Sequence, residues 1–137
     1  MGVVRFHHLG QLWECEGSGW GVAVRSGSPK ISADYYFAEF RCLSVPARKT
    51  YGGRIPSIDP ANVAVDELRR ALEEGIVIDA LQQADRPLKV GEIAEVTELP
   101  EARVREALAG MPDRVDWDYD YEDPSDDEPR YFVADPA

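Results

Sequence analysis

Apolar positions change their spacing once along the chain, and the change divides it. Through the first part the period is two. Val3 to Leu9 alternates, with Val4, Phe6 and His8 on one face. After a tight turn predicted at Gly10, Gln11 to Glu16 alternates again, with Trp13 and Cys15 on one side and Leu12, Glu14 and Glu16 on the other. Gly17 to Gly19 reads as a hairpin loop, and Trp20 to Val24 as a third strand. Ser26 to Lys30 opens a longer loop, and Tyr35 to Val45, stopped by Pro46, is the longest β-rich run. β-branched and aromatic runs bounded by Gly, Ser and Pro are the material of strands. Their short connections make an antiparallel meander of about four strands the economical arrangement. Such a sheet needs a cover on one face. Pro46 to Pro56 reads as a connecting loop; it gathers Arg48, Lys49 and Arg54 around Tyr51, residue types that can contact nucleic acid but also furnish ordinary solvated loops.

From Asn62 the period becomes three to four. Val65, Leu68, Leu72, Ile76 and Ala80 form one apolar stripe, which predicts a helix over Asn62 to Asp85, bent or divided at Gly75 and limited by Pro87. A short helix is predicted within Leu88 to Leu99, carrying Ile93, Ala94 and Val96. A third helix begins at Pro100 and Glu101, turns Val104, Leu108 and Met111 inward with Ala107 beside them, and ends at Gly110 and Pro112. Beyond it Val115, Trp117, Tyr119 and Tyr121 alternate with Asp116, Asp118 and Asp120, then the chain turns and returns toward Phe132. The expectation is an α+β protein: an antiparallel β-meander over residues 1–60 and a helical domain ending in a β-hairpin over 61–137. The two are expected to pack together.

Charge sharpens that division. The whole chain of 137 residues carries a net charge of −11. Residues 1–62 hold seven cations and five acids, a balance of +2, whereas residues 63–137 hold eight and twenty-one, a balance of −13. The switch coincides with the change of period and supports a boundary near Ile55 to Asn62. Apolar residues make up 44% of the chain, enough for a packed core. No apolar run approaches the length of a membrane span, and the N-terminus shows no secretory pattern, so a cytoplasmic protein without membrane partners is expected.

The segment Pro87 to Met111, "PLKVGEIAEVTELPEARVREALAGM", resembles the helix-turn-helix of bacterial winged-helix regulators. Glu92, Ile93 and Ala94 match the second helix of that pattern. Thr97, Glu98, Leu99 and Pro100 match the turn, and Ala102 to Leu108 match the third helix. Glu98 departs from the small residue usual near the turn. The resemblance covers roughly the last 75 residues. It implies a winged helix whose wing is the acidic hairpin. Winged helices serve both DNA recognition and protein contact, so the resemblance speaks more to fold than to function. In DNA-binding members the third helix enters the major groove and the wing touches phosphate. That would give Arg103 and Arg105 the base or phosphate contacts, opposed by Glu101 and Glu106.

The wing argues against duplex DNA. Between Asp113 and Glu128 stand nine acids and one cation, Arg114. Same-face carboxylates on a strand lie about 7 Å apart, where each like-charge pair costs about 0.6 kcal/mol in water. The fold tolerates such a stripe; a line of phosphates does not. Asp116, Asp118, Asp120, Glu122, Asp123, Asp126, Asp127 and Glu128 are therefore expected to meet a protein with a basic surface, the plain alternative being a solvated hairpin that aids solubility. Strict alternation favours Trp117, Tyr119 and Tyr121 as core; exposed, they would be interface anchors.

Other chemistry is thinly represented. Asp116, Asp118, Asp120, Glu122 and Asp127 have calcium-loop spacing, but Tyr121 stands where such a loop needs glycine. His7, His8, Cys15 and Cys42 lack paired metal-ligand spacing, and adjacent histidines on a strand face opposite ways. The two cysteines read as buried thiols. No catalytic, cofactor or metal site is predicted. The expected function is a non-enzymatic regulatory or adaptor role through protein contact. Its alternative is a transcriptional regulator binding DNA through the third helix; a small metal-dependent enzyme is the remote one.

Overall fold

A computed structural model describes residues 2–25, 31–45, 48–119 and 128–134. A four-stranded antiparallel sheet is followed by three helices and a small two-stranded sheet. The chain divides into two compact units, Met1–Gly75 and Ile76–Ala137. Among the described residues no helix is long and apolar enough to cross a membrane.

In the first unit the strands are β1 (Val3–His8), β2 (Gln11–Arg25), β3 (Ile31–Cys42) and β4 (Tyr51–Ile55), in the order β1-β2-β3-β4. β1 alternates as its sequence predicts: Phe6 and His8 are buried, Arg5 and His7 exposed. Leu9 and Gly10, both at positive φ, form the predicted tight turn and pair His8 with Gln11 across it. Two other expectations are corrected. Gly17 to Gly19 is not a hairpin loop; β2 runs through it, and the pairing register with β3 shifts between Gly17 and Gly19. Glycine in a strand punctuates either a turn or a bulge, and here β3 offers a partner on both sides of it. The fourth strand comes instead from the supposed loop: Tyr51–Ile55 pairs with Tyr36 to Phe40.

The glycines of β4 explain why that strand escaped its pattern. Helix α1 (Val65–Gln83) passes so close to β4 that side chains are excluded from the contact. A Cβ on Gly53 would stand 2.7 Å from the Ala71 carbonyl oxygen and 2.8 Å from the Phe40 ring. A Cβ on Gly75 would overlap the Gly52 carbonyl oxygen. Gly75 therefore does not divide α1, which is continuous across it; it admits the strand. Phe6 meets Phe40 edge-on at 6.0 Å, and Trp13, Phe40, Leu68 and Leu72 are fully buried around this contact. Val65, expected on the apolar stripe, is 44% exposed at the first position of the helix.

The second unit contains the end of α1, then α2 (Val90–Thr97), α3 (Glu101–Ala109) and the strands β5 (Val115–Asp118) and β6 (Arg130–Val133). β5 and β6 are antiparallel, from Val115↔Val133 to Asp118↔Arg130. Leu88, just before α2, bridges to Tyr131 through reciprocal backbone hydrogen bonds of 3.0 and 2.7 Å. The α2–α3 turn is built by Thr97, whose buried hydroxyl donates to the Ile93 carbonyl at 2.6 Å and accepts from the Leu99 N–H at 3.3 Å. Glu98 then adopts the left-handed conformation, φ 61°, and Pro100 caps α3. Ile93, Val104 and Met111 are completely buried, with Ala107 and Leu108 beside them, as the inward stripe predicts.

Two stability measurements check this account. Gly75→Ala would ordinarily raise helix propensity by about 1 kcal/mol; here overpacking against Gly52 reverses the sign, and denaturant unfolding is expected to show a net loss of about 1–3 kcal/mol. Glu98→Gly is expected to stabilise by about 0.5–1 kcal/mol, because it removes left-handed strain at a cost in unfolded-state entropy. A stabilised Gly75→Ala or a destabilised Glu98→Gly would contradict the geometry described.

Candidate docking surface on the C-terminal unit

The ends of the hairpin are held by backbone bonds. Val115 N–H donates to the Met111 carbonyl at 3.0 Å, and Ala134 N–H to the Arg114 carbonyl at 2.8 Å. With Leu88 gripping Tyr131, these bonds fix β5 and β6 against the segments that begin α2 and end α3. The start of α2 is itself secured. The Glu92 carboxylate accepts from the Lys89 backbone N–H at 3.0 Å and pairs with Arg86. The Arg86 hydrogen bond, then that of Lys89, holds the Glu92 carboxyl down to about 2, with Arg130 of β6 adding a weaker pull.

On this frame the burial of the hairpin does not follow its predicted alternation. Val115 is buried at 8%, but Trp117 is 53% exposed and Tyr119 39% exposed. Their rings meet edge-on at 5.3 Å. The expectation that these aromatics are core is therefore corrected for Trp117 and Tyr119; Tyr121 lies outside the described residues. The physical reason is the width of the sheet. β5 pairs with β6 alone among the described residues, and a sheet so narrow buries only its base. Asp116 and Asp118 are exposed on either side of Trp117, each accepting a hydrogen bond from the next backbone N–H, at 2.9 and 2.8 Å. Glu128 is exposed at the return. Asp120, Glu122, Asp123, Asp126 and Asp127 lie outside the described residues.

Between α3 and the hairpin lies an open groove of about 440 Å³. Leu108 and Ala109 form one wall, Trp117 and Tyr131 the other, and Arg105 and Asp116 border it. Trp117 and Tyr131 are a cross-strand pair, and both line the groove. On α3, Glu101, Arg105 and Glu106 are exposed, while Arg103 is half-buried and engaged in an interaction of its own. The two arginines singled out from the sequence thus sit in different environments.

The remaining candidates fall elsewhere. Arg48 stacks over Trp13 at 5.1 Å and Tyr51 at 5.9 Å, and donates to the Gln11 side chain at 2.7 Å. It thus packs against the aromatics of β2 and β4. Cys15 and Cys42 are free and buried, and burial pushes the Cys15 thiol up to about 12, so it is protonated at neutral pH. His7 and His8 face opposite ways as expected. Sequence reasoning missed the partner of His8: Glu73 of α1, 3.1 Å away, with both side chains 5% exposed. Among the described residues no group of three His, Cys, Asp or Glu side chains could hold a metal ion.

Comparison with protein-family models, with curated proteins and with solved structures returns no match.

The Glu92 cluster makes a prediction with a definite sign. Its carboxyl is depressed from the ordinary 4.5 to about 2, so the stability it contributes is complete above pH 4.5 and is lost as pH falls toward 2. Glu92→Gln is expected to cost on the order of 1 kcal/mol at neutral pH. The difference from the parent chain should close as unfolding is followed down through that window. A gap that widens in acid would refute this assignment.

Proposed function

We propose that the protein is a non-enzymatic regulatory or adaptor module that grips a basic protein surface with the wing of a winged-helix-like unit. The observation that carries the reading is the exposure of Trp117 and Tyr119 among carboxylates. Large exposed aromatics ringed by polar groups are typical of the anchors of protein interfaces. The order of elements supports the winged-helix assignment: a helix, a bridging segment at Leu88, two helices joined by the Glu98 turn, then a hairpin. The two buried, unbridged cysteines fit a cytoplasmic setting.

Duplex DNA fits the same surface poorly. On α3, exposed Arg105 stands among exposed Glu101 and Glu106, and the flanking hairpin presents Asp116 and Asp118. Phosphate binding draws on clustered cations and the release of their counterions. A basic protein segment finds the opposite: acids that steer its approach and lose their grip as salt rises.

The test pairs two measurements on the full chain. Fluorescence anisotropy with random-sequence duplex at physiological salt is expected to show no saturable binding. Partners retained by the immobilised protein are expected to be basic and to elute with salt. Replacing Asp116 and Asp118 with Asn, and Glu128 with Gln, should cut their retention about fivefold or more. Selection of a specific duplex motif, abolished by charge reversal at Arg103 and Arg105, would replace this reading with a transcriptional regulator.

A further inference from the structure

We propose that the groove between α3 and β5 receives one apolar side chain from a basic segment of the partner protein, with that segment's cations set against Asp116 and Asp118. The inference rests on the protein-contact reading above and deepens it by naming the contact. Leu108, Ala109, Trp117 and Tyr131 give the groove apolar walls, and its volume of about 440 Å³ accommodates a large side chain with room for the backbone that carries it. Trp117 is rigid, amphipathic and half in water, so covering it removes apolar surface from solvent at little cost in side-chain entropy.

Charge selects the occupant. A second copy of this chain would bring its own C-terminal half, with a balance of −13, against the same face. Like charges at close quarters disfavour that association. An anionic membrane or nucleic acid is disfavoured for the same reason. A segment rich in Lys or Arg is attracted, and the walls of the groove add what charge alone does not: a preference for a particular side chain among the cations. Asp116 itself lines the groove with Trp117, so a cation next to the anchor meets a carboxylate there, and Asp118 is exposed two residues further along β5. Arg105, at the opposite border, restricts where those cations settle.

The experiment titrates the isotope-labelled full chain with three probes: a short Lys-rich peptide with one central Leu or Phe, the same peptide with Ala at its centre, and a version with Glu replacing Lys. The apolar-centred peptide is expected to bind about tenfold more tightly than the Ala-centred one. It should move the Trp117 indole N–H resonance and those of Leu108 and Ala109. Trp117→Ala should erase the advantage of the apolar centre while leaving Ala-centred binding in place. Ala109→Trp, which fills the groove from the other wall, should do the same and guards against a structural effect of the first change. Equal affinity for apolar-centred and Ala-centred peptides overturns the groove but leaves the acidic-wing reading standing. If neither basic peptide binds, or if the Glu peptide binds best, both are overturned.

Discussion

The first unit depends on a contact from which side chains have been removed. Gly53 of β4 and Gly75 of α1 let strand and helix approach until backbone meets backbone, at the Ala71 and Gly52 carbonyls. Close approach multiplies dispersion contacts and excludes water, but it is unforgiving, since a single methyl group on either surface has nowhere to go. The contact places the first half of α1 against the sheet. Leu68 and Leu72 of that half of the helix are fully buried, as are Trp13 and Phe40 of the sheet. It also brings Glu73 to within 3.1 Å of His8, giving two buried polar groups a partner each. The Arg69 side chain, donating to the His7 carbonyl at 2.8 Å, secures the same strand from the helix side.

The second unit is organised by different means. Its hairpin is too narrow to bury both faces, and its position comes from backbone hydrogen bonds at Leu88, Met111 and Arg114 rather than from a deep core. That arrangement has a functional consequence. A strand held by its backbone is free to present its side chains, and Trp117 and Tyr119 are presented rather than packed. The completely buried side chains of this unit include Ile93, Val104 and Met111, whereas the two aromatics lie at its surface.

Much of this architecture was legible in the sequence, and the failures share a cause. Period-two alternation placed β1 and the first part of β2, and period-three-to-four spacing placed α1, α2 and α3 within a few residues. The pattern failed where glycine carried the information. Gly17 to Gly19 continues a strand that glycines were expected to end, while Gly52 and Gly53 lie inside a strand that glycines were expected to exclude. Glycine reports that a side chain cannot be present; it does not report whether a turn, a bulge or another backbone is the reason. The hairpin failed differently. The first part of its alternation, Val115 to Asp118, is a strand as read, but alternation says which residues share a face, not whether anything covers that face. Trp117 stayed exposed because burial is a property of the neighbours. The groove, which needs α3 and both strands at once, left no trace in any local pattern.

Charge and exposure then act together on the surface that results. Either alone has an innocent explanation: acids keep a protein soluble, and a single exposed aromatic is common. Their superposition is harder to account for by solubility. An aromatic pair exposed on a hairpin is a liability for aggregation, and carboxylates on both sides of it oppose association with further copies of the same chain. The same carboxylates are the reason the proposed reading takes a cationic partner rather than a polyanion. On the proposed reading, selectivity would come from repulsion of wrong partners as much as from contact with the right one, since specificity is a difference between two affinities.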